Sequence, residues 1–310
     1  MKLQKALEKL KFTAQHLPYF YAPNFLRNYD AEKHLAELSP EAQQDIYERL
    51  PLLNKLTQPF TLSDQATSLA ELSLKKHSRY KFDLAKASMG FPRNSKLDIT
   101  FGDVVNIPDT PTVVKSRAIT DNNQNAVLLK LNSPRHYRFY NDPYEFVEKV
   151  NKIVFRGQAH TAERKRIIRD FIGEPYTDFE STHRSNESKK YFLSPVQQME
   201  YKFILSLEGV DVASNLKWVM ATNSLVVMPK PKVESWFLET RLVAGLHYIE
   251  VQDDFSNLQE AIQPYLDNPS LADEMIHAKN AYVQPYFDEK RERVLCHLCL
   301  LYTSPSPRDA

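Results

Sequence analysis

Between Glu200 and Val251 the chain reads EYKFILSLEGVDVASNLKWVMATNSLVVMPKPKVESWFLETRLVAGLHYIEV. Short apolar runs (YKFIL, SLVVM, HYIEV) alternate with polar turns and one helical stretch, DVASNLKWVMATN, which begins near Asp211. Strands of this kind, interleaved with helices, predict a sheet of parallel type covered by helices. In such folds ligands bind outside the carboxyl ends of the strands. The turns after FILSL and after VVMP are therefore the first places to look for chemistry.

The same pattern extends in both directions. KIVFRG (152–157) reads as a strand ending in Arg-Gly, and TAERKRIIRDFIG (161–173) as a helix capped by Thr161 and stopped by Gly173. Residues 174–193 read as a polar loop, and SPVQQM as a helical turn. Helices are expected over 256–266, over 270–281 and in a final stretch to about Leu301. Upstream, LDITFGDVV, PTVVKS and AVLLKL read as strands of a separate α/β unit, followed by a short helix over 144–150. Residues 1–90 look helical and irregular, with helices near 2–12 and 40–55; Ser39-Pro40 is a good start for the second.

With 310 residues the chain has room for two domains. Its 42% hydrophobic and 25% charged residues are those of a folded globular protein, and a net charge of +1 gives no global electrostatic case for nucleic acid. The opening MKLQKALEKLKF is a Lys-rich amphipathic helix with Leu3, Ala6, Leu7 and Leu10 on one face. Packing of that face on the domain is the simpler reading, and contact with an anionic membrane surface the other. There is no long apolar signal region and no run of about 18 apolar residues, so a cytoplasmic location is expected. The two cysteines, Cys296 and Cys299, exclude a disulfide framework, and without a second pair they make a poor zinc site. The terminal CLLYTSPSPRDA reads as a disordered tail or a non-native addition.

Six glycines are too scattered for G-x-G-x-x-G or a P-loop, and no D-x-D occurs. A phosphorylated ligand must then be held by helix N-termini and cationic side chains. Arg156-Gly157, followed by Arg164, Lys165 and Arg166, suits an anion, although a solvated basic helix face explains the same residues. Gly209 permits close backbone approach, and Asp211, Ser214, Asn215 and Lys217 follow at the start of the expected helix; ordinary capping explains them equally well. Lys230-Pro-Lys232, Glu234, Trp236 and Glu239 form a second polar loop after a strand, where a carboxylate can accept ribose hydroxyls. Asp103, at a strand end in ITFGDVVNIP, suits a general base or a plain turn. Lys115-Ser116-Arg117 is a cationic strand end that either meets an anionic substrate or pairs with acids.

Taken together, EGVDVASNLKWVMATNSLVVMPKPKVESWF, GLHYIEVQDDFSNLQEAI, FGDVVNIPDTPTVVKSR, NAVLLKLNSPRHY and VFRGQAHTAERKRI resemble glycosyltransferase family 90, which includes Rumi-type protein O-glucosyltransferases and a bacterial lipopolysaccharide-modifying branch. The likeness covers about residues 97–285 and is nearer the bacterial branch. It implies an α/β, GT-B-like fold: two Rossmann-like domains facing a cleft, with an N-terminal helical extension. The corresponding division is a helical region 1–90, an acceptor-side domain 91–150, a donor-binding domain 151–285 and a C-terminal helix with its tail, 286–310.

The resemblance implies an inverting, metal-independent transfer from a nucleotide sugar, UDP-linked, with no cofactor. Asp103 matches the family's base, although Gly102 stands where eukaryotic members have Arg. Arg156, Gly157, Arg164, Gly209, Asp211, Ala213, Ser214, Asn215, Lys217, Asn223, Ser224 and Glu239 fall on the donor side, with Asn215 in place of a eukaryotic Arg. Lys115 and Arg117 fall on the acceptor side, where Arg135 and the basic N-terminal helix join them. The expected partner is a lipopolysaccharide or surface-glycan acceptor at the inner membrane. A protein O-glycosyltransferase of the same fold, or a non-catalytic glycan-binding protein, is the alternative.

Overall fold

The computed structural model describes residues 2–21, 28–72, 78–182 and 191–303, with side chains from residue 10 onward, Ser78 excepted. The chain forms two compact units. The first comprises residues 1–135, 234–238 and 285–310; the second comprises 136–233 and 239–284. The tail from Ser304 and the side chains of Leu3, Ala6 and Leu7 lie outside the described residues.

In the first unit α1 (Lys2–Tyr21) runs well past residue 12. It packs through Phe12, His16 and Phe20 on Phe82 of α4 (Ser78–Ala87). Leu10, on the face expected to be covered, is 67% exposed. The aromatic residues of the opposite face supply more apolar area and anchor the helix instead. Between these helices lie α2 (Ala31–Ala36), α3 (Pro40–Leu53) and β1 (Thr67–Ser68). Ser39 caps α3, accepting the Ala42 N–H.

The strands that follow are short: β2 (Lys96–Leu97), β3 (Thr112–Val114), β4 (Ser116–Ala118) and β5 (Ala126–Leu128). Among the described residues they pair only two by two, and LDITFGDVV contributes little beyond Leu97 and an Ile99–Val113 bridge. Gly102 and the prolines at 108 and 111 interrupt what the apolar pattern suggested. What survives is a narrow parallel strip, Ile99–Val113–Val127, which positions the chemistry described below.

The second unit follows α5 (Ser133–His136) and is built on five parallel strands. They are β6 (Val150–Gly157), β7 (Thr177–Ser181), β8 (Tyr201–Leu205), β9 (Leu225–Met228) and β11 (Ile249–Glu250), in the order β11-β9-β8-β6-β7. Between β9 and β11 runs β10 (Val233–Ser235), most of which belongs to the first unit. In chain order this is a 2-1-3-4-5 sheet, doubly wound, with its switch point between β6 and β8.

Helices α6 (Ala162–Phe171), α9 (Leu258–Asp267) and α10 (Pro269–Val283) cover one face with Ile167, Leu258, Ile262 and Met275 on Phe155, Phe203 and Val227. Each such side chain contributes roughly 1.5–3 kcal/mol by leaving water. Two expectations change here. Residues 177–181 form edge strand β7 rather than loop. The helix expected over 211–223 shrinks to α8 (Leu216–Val219), while α7 (Pro195–Gln198) is the expected turn.

The chain then returns to the first unit as α11 (Glu289–Leu301). Glu292 on this helix accepts from Arg49 Nη1 (2.6 Å) and Trp236 Nε1 (2.7 Å) and pairs with Lys130 (2.9 Å). Burial opposes its charge, but Arg49 and Lys130 outweigh that and bring its pKa down to about 2. Cys296 and Cys299 are buried, and burial drives both thiols upward, so neither is a reactive thiolate. Among the described residues no helix is long and apolar enough to cross a membrane.

Candidate active site

In the second unit the switch point is closed by one side chain. Thr161 caps α6 by accepting the Arg164 N–H, which sets Arg164 at the first turn. Its guanidinium donates to the carbonyls of Gln158 (3.3 Å), Leu207 (2.5 Å) and Glu208 (3.1 Å), beyond the ends of β6 and β8. Gly209 lies against this group: a Cβ there would stand 3.2 Å from Arg164 Nη2. Arg164 therefore shapes the Leu207–Gly209 turn.

Beyond the carboxyl ends of β8 and β9 opens a recess with an apolar wall of Val212, Ala213, Leu216, Met228 and Pro229. Its polar rim carries Glu163, Glu208, Lys230, Lys232, Glu239 and Asp253. The volume is about 40 Å³, space for two or three waters at roughly 15 Å³ each on this measure. A larger ligand extends out past the mouth, where Lys230 and Lys232 are exposed. Lys232 pairs with Asp253 at 2.9 Å, while Lys230 has no ion-pair partner among the described residues. Burial raises the Glu208 carboxyl, although its Oε1 accepts the N–H groups of Lys232 and Val233.

Of the donor-side residues expected from sequence, Ala213 and Glu239 line this recess, with Gly209 and Arg164 on the adjoining turn. Asp211 is buried and Ser214 half-buried in the turn before α8, and the Asn215 amide donates to the Leu205 carbonyl. Lys217 is wholly buried and pairs with Glu239 at 2.5 Å, so it stands behind the wall. A four-residue α8 also offers no helix N-terminus of the expected strength.

Arg156 turns to the sheet edge, where it pairs with Asp178 at 2.7 Å and donates to the Tyr191 carbonyl. Gly157 ends β6 beneath the Phe155 ring. Asn223 and Ser224 are corrected outright. They sit at the amino end of β9, bonded to Tyr144 and Tyr201 carbonyls, and four strand residues at about 3.3 Å each separate them from the recess.

In the first unit the parallel strip brings two chain segments out at the same end. Asp103 follows Ile99, and Lys115 follows Val113. Their side chains meet at 2.5 Å, Lys115 Nζ to Asp103 Oδ1. Tyr80 of α4 donates to the same oxygen at 3.2 Å, and Arg135 approaches Oδ2 at 3.6 Å. Burial opposes the charge of Asp103, but Lys115, then Arg135 and Tyr80, outweigh it and hold the carboxyl below the usual aspartate range. Its side chain remains 36% exposed. Gly102 has φ +121°, a conformation that strains any side-chain-bearing residue, so this turn does not accept the Arg of the eukaryotic pattern.

Lys115 itself is buried and holds Asp103 rather than facing outward, a correction to its expected acceptor role. Arg117 is corrected further. It is 0% exposed, bonded to Glu234 and to the carbonyls of Leu52, Leu53 and Ala126. Tyr80 carried no sequence signal, because a tyrosine on a helix twenty-three residues upstream is ordinary until the fold places it.

A parallel sheet with a recess at its strand ends is the architecture on which α/β proteins bind small ligands. The profile of Glycosyl transferase family 90 matches residues 135–304. The chain is 40% identical over 286 residues to the O-glucosyltransferase LpsA of Dichelobacter nodosus, covering 90% of this chain and 89% of that protein. It is also 28% identical over 113 residues to the uncharacterized protein 179R of Invertebrate iridescent virus 6, covering 34% of this chain and 9% of that one. The chain belongs to glycosyl transferase family 90 and is an enzyme, a glycosyltransferase with a sugar donor and an acceptor as substrates.

Proposed function

We propose that the protein transfers a hexose, glucose in the first instance, from a UDP-linked donor to a lipopolysaccharide or related surface glycan, with inversion and without a metal. The observation that carries the mechanism is Asp103, a carboxylate held ionised by Lys115 while a third of its side chain stays open. As the acceptor oxygen bonds to the anomeric carbon, its proton passes to Asp103. The bond from that carbon to the donor phosphate breaks, and its electron pair leaves on the nucleoside diphosphate. Donor binding is assigned to the recess of the second unit and the base to the first, the division of labour of a GT-B enzyme.

Fixed positive charge stabilises the leaving diphosphate. Because the Arg156 and Lys217 side chains are buried in their pairs, that role is assigned to the exposed Lys230, joined by Lys232 when it leaves its exposed pair with Asp253, with Arg164 holding the turn beside them. Glucose rests on the name of the D. nodosus O-glucosyltransferase and its identity to this chain, and the lipopolysaccharide acceptor on the resemblance to the bacterial branch of the family; the lack of D-x-D supports metal independence. A cytoplasmic location, peripheral on the inner membrane, completes the reading, supported by the exposed Leu10, Leu17 and Tyr21 of α1.

The test is transfer from UDP-glucose to rough-type lipopolysaccharide core by wild type and Asp103→Asn, with the product anomer read by NMR and chelator present in parallel. Loss of about 10²–10⁴ in rate is expected for Asp103→Asn, with UDP binding retained. Equal rates remove Asp103 as the base, and transfer to an EGF-like domain instead of the core moves the acceptor to protein.

A further inference from the structure

Asp103 is more heavily countered by positive charge than a proton acceptor needs to be. Oδ1 takes two donors, Lys115 Nζ at 2.5 Å and Tyr80 Oη at 3.2 Å, and Oδ2 faces Arg135 at 3.6 Å. These three groups, from the β3–β4 junction, α4 and α5, are the titratable and charged neighbours acting on the carboxylate. They differ in kind. The Lys115 side chain is 2% exposed, so its contact is part of the fold. The Arg135 side chain is 49% exposed, and its contact with Asp103 is its one ion pair among the described residues. Of the two cations, Arg135 is the one whose contact lies open to solvent.

The backbone supports that distinction. Arg135 sits on a turn fixed from α4: Asp83 accepts the Ser133 N–H at 2.8 Å and its hydroxyl at 2.6 Å, and Asn132 donates to Tyr80 Oη at 3.5 Å. The root of the side chain is thus held beside Asp103 while its head lies in solvent. Oδ2 is the oxygen left for an incoming hydroxyl, and it is the one Arg135 blocks.

Resting on the reading of Asp103 as base, we infer that Arg135 is the acceptor's anion subsite and that an anionic group on the acceptor, phosphate or carboxylate, draws it off Oδ2. The displaced guanidinium pairs with that group, bidentately where geometry allows. Oδ2 is then uncovered beside the hydroxyl it deprotonates, and with one cation fewer the carboxylate becomes the stronger base. A neutral acceptor offers Arg135 only water in exchange for Asp103, so it uncovers Oδ2 less often than an anionic one does. Discrimination for anionic glycans is thereby tied to the chemical step as well as to binding.

The experiment compares core oligosaccharide in three forms: intact, dephosphorylated, and with its carboxylates reduced. Each is assayed with UDP-glucose and wild type, Arg135→Gln, Arg135→Lys and Asp103→Asn. Wild type is expected to prefer the intact acceptor by about ten-fold or more in kcat/KM. Arg135→Gln should lose that preference mainly on the intact acceptor, and Arg135→Lys should restore part of it. The acid limb of the kcat/KM profile should move to higher pH in Arg135→Gln. The arm that erases the preference names the group, phosphate or carboxylate. A wild type indifferent to all three forms overturns the inference, as does an Arg135→Gln that slows all three equally with no pH shift. Transfer retained by Asp103→Asn overturns the base reading beneath it, a separate outcome.

Discussion

Lys217 Nζ lies 2.5 Å from Glu239 Oε1, and neither side chain is more than 2% exposed. Spacing left the segment around Lys217 between a diphosphate cradle and ordinary capping, and the family resemblance put Lys217 on the donor side; the fold makes it the counter-ion of a carboxylate in the recess wall. Removing one member of a buried pair strands the other, at a cost of about 3–5 kcal/mol. Lys217→Met should therefore lower the urea midpoint in the absence of any donor, and adding Glu239→Met should recover at least half of the loss. A Lys217→Met protein as stable as wild type but unable to bind UDP returns the lysine to its phosphate role.

Gly157 carries a different constraint. A Cβ at this position would stand 2.6 Å from Cζ of Phe155, whose ring is buried edge-on to Phe179. The ring cannot swing away without opening the core, so Gly157→Ala is expected to cost about 1–3 kcal/mol as an overpacked site does. The Arg164 guanidinium lies 6.0 Å from that ring, so UDP affinity should fall as well. Differential scanning calorimetry with and without UDP separates the two effects; an unchanged melting temperature defeats the packing argument.

What was legible followed from local pattern. Strand β6, the Thr161 cap, the Gly173 stop and helices α9 to α11 are set by periodicity and capping chemistry within a few residues. Strand β7 escaped because TDFES is an edge strand with polar residues on its open side, which reads as loop. The 211–223 segment looked helical throughout, yet only four residues coil into α8, and Asn215 spends its amide on the Leu205 carbonyl instead. The sequence singled out Ala213 and Glu239, which line the recess, and Asp103, which stands partly exposed beyond the parallel strip. The partners of the cations were not legible, since an arginine looks the same whether it meets solvent or a distant acid. Arg117 finds Glu234 and Arg49 finds Glu292, each more than a hundred residues away.

The cations at the recess give the next test. Lys230 is exposed at the rim with no ion pair among the described residues, whereas Arg156 is tied to Asp178 and the Tyr191 carbonyl. Lys230→Gln should weaken UDP binding by about ten-fold, the value of one charge-assisted contact, with stability within about 0.5 kcal/mol of wild type. Arg156→Gln should do the reverse, costing about 1–3 kcal/mol of stability with a smaller change in affinity. Calorimetric titration and urea unfolding of both variants decide it; the opposite pattern restores Arg156 as the phosphate ligand.

Asp83 predicts the pH dependence of stability. It is fully buried on α4, and burial pushes its pKa up to about 6, although Ser133 donates to both carboxylate oxygens. Between about pH 4 and 6 the folded protein keeps a proton on Asp83 that the unfolded chain has lost. Stability from this group is therefore full below about pH 4 and disappears as pH rises through 6, by on the order of 3 kcal/mol at about 1.4 kcal/mol per unit. Glu292 acts in the other direction: its pKa is lowered to about 2, so its contribution is intact above about pH 4.5 and fades only in stronger acid. In the pH 4–6 window His297 works against Asp83: burial lowers its pKa to about 4, so stability from His297 rises with pH up to about 6.5, and the Asp83 contribution shows as a difference from a variant at residue 83. An asparagine at this position cannot ionise, still accepts one Ser133 hydrogen bond, and can donate to the Ser133 hydroxyl. Relative to wild type, Asp83→Asn should thus gain stability steadily from pH 4 to pH 6 and hold the gain above it. Urea midpoints at half-unit intervals measure this, and a constant difference between the two proteins across the range would show that Asp83 is ionised in the fold throughout.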